Sequence, residues 1–413
     1  MASATLYLHI GTPKTGTTAL QSFLAQNVGA LKKHGVLNPG NPAEDARVRW
    51  PKVGVNRTAH FLTRREGEYD PALAPVCFQK IRAQLSEDPS LTKAVLTDEG
   101  LWRYGSEYDD FWEKLLEELR RNDMDLKVVI YLRRQDDFLY SCWGQTVKSG
   151  ATWTFEEFIP HAGEAPMVRT LDYYQALKQI ERHIGKENLI VRLYQKSSYR
   201  GKAENIQSDF LACMGLELTD DFVWSDELKN TSLTDCVVET RRLLNYQPKF
   251  AQPKHYVNDL LRKAQESLRA DGRLQVRKAM SAELSEKIMA ECMESNRKIA
   301  EEYFNAAGES AALKQNEGKV PKTLFEVPKA DTAKSASEIS ASAQQSVQGA
   351  VPEQSTASTS ATPFSQEEMV GVCGEVIDSL YQENQRLKKQ LKESAAPQST
   401  WKKALRALKG SRS

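Results

Sequence analysis

An apolar stretch near the start of the chain (residues 5–10) runs through a glycine-containing loop into a helical pattern. A helix begins with backbone N–H groups that have no intrahelical acceptor, so its N-terminus stabilises an anion. Gly11 and Gly16 allow the backbone to approach a phosphate closely, and Lys14 adds a positive charge to the same loop. Two hydroxyl donors open the helix, Thr17 and Thr18. The arrangement predicts a nucleotide phosphate site where a strand meets a helix.

The glycine spacing resembles the nucleotide-binding loop G-x-x-x-x-G-K-[ST] but differs in where its lysine stands. In that loop the lysine follows the second glycine and reaches the β- and γ-phosphates, while the next Ser or Thr binds Mg²⁺. Here Thr17 follows Gly16, and Lys14 lies inside the loop. The charge is therefore expected nearer the bridge between the first phosphate and the group it carries. A kinase that uses ATP and Mg²⁺ stays open as an alternative, which the missing lysine disfavours.

A second candidate site follows the β-branched apolar run at residues 126–132, which predicts a buried parallel strand. Arg133 and Arg134 come directly after it, at the strand end where open α/β sheets bind ligands. Arg133 has the geometry to hold a phosphate bidentately, and Ser141 could donate to the same group. The alternative is an arginine pair that caps a surface strand and a serine that faces water.

A carboxylate pair follows another predicted strand, residues 93–97. Asp98 and Glu99 would then face the same crevice, where a partly desolvated Glu99 could accept the proton of a substrate hydroxyl. The competing interpretation is a carboxylate that caps the next helix or binds an arginine. His60 is the rival base, because histidine titrates near neutral pH. His9, inside the first strand, is predicted to be a packed core residue.

Together these motifs resemble the family of sulfotransferases that use 3′-phosphoadenosine 5′-phosphosulfate (PAPS), in its bacterial, carbohydrate-type branch. Residues 13–18 resemble the 5′-phosphosulfate loop, and Arg133 and Ser141 match the spacing of the 3′-phosphate site. The resemblance extends to about residue 304, with further similar stretches at 96–101, 131–137, 191–194, 209–211 and 230–233. It departs where the family's Arg-Asn-Pro reads Arg133-Arg134-Gln135, and the late glycine-rich segment of the animal cytosolic enzymes is absent.

The resemblance implies transfer of a sulfuryl group from PAPS to a hydroxyl, in line and without a metal ion. Lys14 would stabilise the bridging oxygen, and Glu99 or His60 would be the base. The donor-binding residues that it implies are Pro13, Lys14, Thr15, Gly16, Thr17, Thr18, Arg133, Ser141, Asn230 and Ser232. A glycan or glycolipid acceptor follows from the same likeness. A catalytically inactive nucleotide-binding protein that recruits partners is a further alternative.

Composition is consistent with an enzyme of the α/β class. A net charge of +1 gives no overall field for nucleic acid, so no nucleic-acid partner is expected. Six cysteines without metal-ligand spacing suit a reducing compartment. No signal peptide or membrane-spanning stretch is recognised, so a cytoplasmic location is expected. Strands are predicted to alternate with helices at 110–122, 171–183 and 203–214, as in a parallel sheet flanked by helices.

The C-terminal region changes in composition. Residues 1–304 are predicted to form the α/β domain, and residues 305–364, rich in Ser, Ala, Thr and Gln, a disordered linker. An apolar stripe in residues 365–394 predicts a short coiled-coil helix for self-association or a partner, with Val372, Val376, Leu380, Leu387 and Leu391 along it. The basic tail (395–413) holds five cations and no acid over Thr400–Ser413. It suits either peripheral contact with an anionic membrane or a solubilising role.

Overall fold

The computed structural model describes residues 3–39, 73–164, 168, 171–201, 203–224, 233–246, 254–270 and 280–304, with four isolated positions near the C-terminus. The predicted linker and basic tail lie outside the described residues, as does most of the predicted C-terminal helix. Within that helix Val372 is helical and fully buried.

The described chain divides into two compact units. The first takes in residues 1–142, 161–231 and 282–356, and the second takes in residues 143–160, 232–281 and 357–413. The sequence predicted one domain over residues 1–304.

The first unit is built on a five-stranded parallel sheet in the order β2-β3-β1-β4-β5. The strands are Ala4–Gly11 (β1), Val36–Leu37 (β2), Lys93–Thr97 (β3), Met124–Leu132 (β4) and Leu189–Leu193 (β5). Every strand thus ends at the same edge, and β1 lies at the centre between β3 and β4. The predicted fold class, a parallel α/β sheet flanked by helices, is confirmed.

Helices lie between these strands along the chain and also follow the last of them. In chain order, α1 to α6 are Thr17–Gln26, Val28–Lys33, Leu73–Glu87, Leu101–Glu107, Asp109–Arg121 and Gln135–Lys148. The later described helices, α7 to α12, are Phe155–Phe158, Tyr173–Ile184, Ile206–Cys213, Asp235–Leu244, Lys254–Ala270 and Ala282–Tyr303.

Alternation along β1 separates two apolar cores. Leu6, Leu8 and Ile10 face a core formed with α3, α4, α5, α8 and α12. The opposite face packs on α1, α2 and α9, and includes Val129 and Tyr131 of β4. Because successive side chains of a strand point to opposite faces, a strand covered on both sides is apolar throughout, as the sequence pattern of β4 indicated.

The second unit is helical in its described part. Asn245, which follows α10, donates through Nδ2 to the carbonyls of Val147 (2.8 Å) and Ala151 (2.6 Å). Arg242 is buried, donates to the carbonyl of Thr152 (2.8 Å) and pairs with the Glu239 carboxylate. These contacts join α10 to the end of α6 and the segment after it.

Candidate functional site

The loop between β1 and α1 (residues 12–16) lies at the carboxyl edge of the central strand. Thr12 binds β4, since its backbone N–H donates to the carbonyl of Tyr131 at 3.0 Å and its hydroxyl to the same oxygen at 3.1 Å. Thr15 closes the loop, donating through Oγ1 to the carbonyl of Thr12 at 2.5 Å. Lys14 has a left-handed backbone (φ 65°). Hydrogen bonds of Thr12 and Thr15 therefore hold the loop, and none of these bonds uses the Lys14 side chain.

Gly16 makes the entry into α1 possible. Its φ of 74° is left-handed, and a Cβ there would lie 3.0 Å from Cε2 of Tyr194 and 3.1 Å from Cδ1 of Ile206. Glycine is thus required for backbone conformation and for space. The first turn of α1 carries no acidic residue, so no side chain of that turn competes with an anion for its N–H groups.

Arg133, at the end of β4, lies directly against this loop. Its Nη1 donates to the carbonyl oxygen of Lys14 at 2.8 Å, and its guanidinium carbon stands 5.6 Å from the centre of the Tyr194 ring. The structure therefore brings the loop that carries Lys14 and the side chain of Arg133 together at one sheet edge, as the sequence predicted. Lys14 and Arg133 are therefore two neighbouring cations, and the carboxylate of Glu99 lies close enough to raise the pKa of Lys14.

The electrostatics of Lys14 show what surrounds its ammonium group. The pKa of Lys14 is lowered, mainly by burial and also by the positive charge of Arg133. Cys142 and Glu99 act in the opposite direction and raise this pKa. Burial raises the pKa of the Cys142 thiol to about 12, although Lys14 and Arg133 both work in the other direction. Cys142 is fully buried, so it remains a neutral thiol beside two cations at neutral pH. A negatively charged ligand would relieve the unfavourable proximity of Lys14 and Arg133.

The two carboxylates after β3 have different environments. Asp98 is buried and accepts a hydrogen bond from the backbone N–H of Gly100 at 2.8 Å, which is the local turn role considered for either acid. Glu99 is half-buried and lies on the side of Lys14. Of the pair, Glu99 is thus the carboxylate placed beside the candidate site.

Some of the other candidate residues are described by the structure, and others lie outside the described part of the chain. Thr17 is buried, Thr18 is exposed, and Pro13 is half-buried at the loop. Ser141 is half-buried on α6. His60, Asn230 and Ser232 lie outside the described residues.

The sequence analysis missed two neighbours of Lys14 and Arg133. Tyr194 follows β5 and lies against both Gly16 and the Arg133 guanidinium. Cys142 stands next to the predicted Ser141. Helical spacing could have indicated it, since Phe138 and Cys142 share a face of α6 that also packs inward.

Arg134 and Gln135, which stand where the sulfotransferase family has Asn and Pro, make contacts with α12. Arg134 donates to the Ser285 hydroxyl at 3.3 Å, and Gln135 exchanges amide hydrogen bonds with Asn296 at 2.7 and 3.1 Å. These residues fix the start of α6, which carries Ser141 and Cys142.

A buried polar cluster lies on the α9 side of the sheet. Asp209 accepts from Tyr131 Oη (2.7 Å), from Arg192 Nη2 (2.5 Å) and Nε (3.1 Å), and from the backbone N–H of Arg200 (2.9 Å). We call Tyr131, Arg192 and Asp209 the Asp209 cluster. His9 packs edge-on against Tyr131 and Phe210 and is fully buried, which confirms its predicted place in the core.

Two searches of the described residues were negative. They contain no group of three or more His, Cys, Asp or Glu side chains arranged to hold a metal ion. None of the described helices is long and apolar enough to cross a membrane.

Comparison with known proteins gives limited similarity. No protein-family model matches the chain. An uncharacterized protein of Archaeoglobus fulgidus is 28% identical over 180 residues, which cover 43% of this chain and 46% of that protein, so the match spans about half of the relative's length. The crystal structure of a sulfotransferase from Alicyclobacillus acidocaldarius covers 62% of this chain and 97% of its own, with 16% identity and a TM-score of 0.34. Neither similarity is high enough to assign the chain to a family.

Proposed function

We propose that this chain is a sulfotransferase that moves a sulfuryl group from PAPS to a hydroxyl of a glycan or glycolipid acceptor. The observation that carries the proposal is the contact between Arg133 Nη1 and the carbonyl of Lys14. It brings two cations from neighbouring parallel strands to one place, beside the start of a helix with no acid in its first turn. Sulfuryl transfer develops negative charge on oxygens, which fixed positive groups stabilise.

The residues at this edge fit a donor that carries phosphates at the 3′ and 5′ positions of adenosine. Lys14 would neutralise charge at the bridging oxygen, and the loop N–H groups with Thr17 and Thr18 would hold the 5′-phosphate. Arg133 and Ser141 would hold the 3′-phosphate, where a guanidinium can donate two parallel hydrogen bonds. Asn230 and Ser232 complete the proposed donor contacts. When bound, PAPS supplies the activated sulfuryl group.

Glu99 is the proposed base for the acceptor hydroxyl. It is half-buried beside Lys14, whereas Asp98 is engaged by the backbone of Gly100. A carboxylate in that position can accept a proton as the hydroxyl attacks. His60 remains the rival base.

Calorimetry with 3′,5′-adenosine bisphosphate and with ATP, each with and without Mg²⁺, tests the donor. We expect metal-independent binding of the bisphosphate that weakens about tenfold or more in Lys14→Ala and in Arg133→Ala, because each removes a charged hydrogen-bond donor. Lys114→Ala, on an exposed pair with Asp110, is the control and should bind as the wild type does. Preference for ATP with Mg²⁺ would instead favour the kinase alternative and contradict the proposal.

Turnover with radiolabelled PAPS and glycan or glycolipid fractions tests the base. Glu99→Gln should abolish label transfer while its affinity for the bisphosphate stays near wild type, because the amide keeps the shape but cannot take a proton. Glu107→Gln, at a carboxylate paired with Arg103, should transfer label normally. An active Glu99→Gln with an inactive His60→Ala would assign the base to His60. Donor binding without transfer to any fraction would favour the inactive binding protein.

A further inference from the structure

Tyr173, the first residue of α8, has a buried hydroxyl without a partner. The side chain is fully buried, and within the described part of the chain no hydrogen bond to its hydroxyl oxygen is found. Buried polar groups are paired in the great majority of cases, because an unpaired one loses its hydration without compensation. An unpaired interior hydroxyl therefore calls for a physical explanation.

Two aromatic rings pack against Tyr173. Trp102 meets the Tyr173 ring edge-on at 6.1 Å between centroids, and Phe138 does so at 6.5 Å. Trp102 lies on α4, three residues after Glu99, and Phe138 lies on α6, five residues after Arg133. Tyr173 is thus held between the two helices that follow β3 and β4, the strands on either side of the Lys14 loop.

The titratable groups near Tyr173 include one residue of the candidate site. Burial raises the pKa of Tyr173 well above its usual value, the Cys142 and Cys292 thiols and the Asp136 carboxylate add to this, and Arg133 opposes it. Cys142 is one helical turn beyond Phe138 on α6 and also neighbours Lys14 and Arg133. The Tyr173 ring, which packs against Phe138 of the same helix, therefore lies in the part of the interior near Arg133, which is itself half-buried.

A second buried tyrosine shows that this unit can satisfy such a group. Tyr131 is as fully buried as Tyr173, and its hydroxyl donates to Asp209 at 2.7 Å. The two tyrosines differ in partner and not in depth. Tyr173 lies beside the candidate site, and Tyr131 belongs to the Asp209 cluster.

We infer that the Tyr173 hydroxyl is a further ligand-binding group, which donates a hydrogen bond to an oxygen of the 3′-phosphate held by Arg133. This inference rests on the proposed function. A phosphate bound by the guanidinium would bring to the hydroxyl the acceptor that it lacks, and a hydrogen bond to an anion is stronger than one between neutral groups. The ligand would reach the hydroxyl from the side of Arg133.

The test compares ligands with and without the 3′-phosphate, 3′,5′-adenosine bisphosphate and 5′-AMP, by calorimetry on the full chain. Tyr173→Phe should bind the bisphosphate about tenfold more weakly and 5′-AMP as the wild type does. Its ligand-free midpoint of thermal unfolding should stay the same or rise, because the variant loses an unpaired polar group. Tyr173→Met, which also lacks the hydroxyl and adapts to irregular core space, should show the same loss of preference for the bisphosphate.

Tyr131→Phe is the matched control. It should lower the unfolding midpoint, because it removes a satisfied hydrogen bond, and leave the ratio of the two affinities unchanged. If Tyr173→Phe keeps the wild-type ratio, or weakens 5′-AMP as much as the bisphosphate, the inference is wrong while the proposed function stands. If the wild type binds neither nucleotide, the proposed function fails, and the inference fails with it.

Discussion

The Lys14 site and the Asp209 cluster are neighbours on one sheet, yet they use charge in opposite ways. In the cluster the Asp209 carboxylate is surrounded by donors from Tyr131, Arg192 and a backbone N–H, and the arginine and aspartate side chains are almost wholly buried. At the site, Lys14 and Arg133 are half-buried and stand near each other with like charge. The first arrangement is complete within the chain, whereas the second becomes favourable when an anion arrives.

This difference shows that charge or burial alone does not identify a functional residue. The same two strands supply both regions, since β4 contributes Tyr131 to the cluster and leads into Arg133. Likewise β5 contributes Arg192 and leads into Tyr194. Within the strands, Tyr131 and Arg192 are paired with Asp209, whereas Arg133, just past the end of β4, contacts the loop that carries Lys14. Position relative to the carboxyl edge of the sheet separates scaffold from candidate site.

The largest expected effect breaks the Asp209 cluster. Asp209→Ala would leave the Arg192 guanidinium buried without its counter-charge, which we expect to lower the free energy of unfolding by about 3–5 kcal/mol. Urea denaturation measures this loss. Glu301→Ala, which removes a partner of Arg297 on the surface, should leave the urea midpoint unchanged. If Asp209→Ala is as stable as Glu301→Ala, the Asp209 cluster does not contribute to the stability of the fold.

A smaller effect, dependent on pH, concerns His9 next to the cluster. Burial lowers the pKa of His9 from 6.5 to about 4, although Asp98 raises it. Between pH 6.5 and about 4 the unfolded chain takes up a proton that the folded chain refuses, so stability is full above this window and falls as the pH drops through it. The expected loss is about 3 kcal/mol.

Unfolding in urea at several pH values measures this slope. His9→Gln should remove it whatever its absolute stability, because no group then titrates in the window at this position. His34→Gln, at a surface histidine that pairs with Asp221, should retain it. A slope that survives in His9→Gln would assign the pH dependence to other groups.

The smallest expected effect tests how the site is held. Gly16→Ala places a Cβ against Tyr194 and Ile206 on a left-handed backbone, and we expect about 1–2 kcal/mol of destabilisation with weaker binding of 3′,5′-adenosine bisphosphate. Gly29→Ala is the matched control, since a Cβ there meets no atom within 4 Å and alanine favours a helix. Gly29→Ala should be as stable as the wild type or more so. Equal behaviour of the two variants would mean that the close approach at Gly16 does not constrain the loop.

Local patterns in the sequence predicted the elements well and their limits less well. The strand predicted at residues 93–97 is β3, with the same limits. The strand predicted at 126–132 begins earlier, at Met124, because Met124 and Asp125 pair with Ala4 and Thr5 of β1. The helix predicted to start at residue 203 begins at Ile206, after Asn205 caps it by accepting from the backbone N–H of Ser208. Limits depend on pairing and capping partners, which a periodic pattern does not specify.

The sequence by itself determined the strand–loop–helix elements, the glycine positions and the cations at the strand ends, because these follow from backbone geometry and side-chain period. Only the tertiary structure decided which residues meet. Lys14 and Arg133 are 119 positions apart, and Tyr131 and Asp209 are 78 apart. Whether a buried polar group finds a partner, as Tyr131 does and as Tyr173 does not among the residues the structure describes, depends on side chains brought in by distant elements. That information arises when helices pack on both faces of a sheet, and no local stretch of the chain contains it.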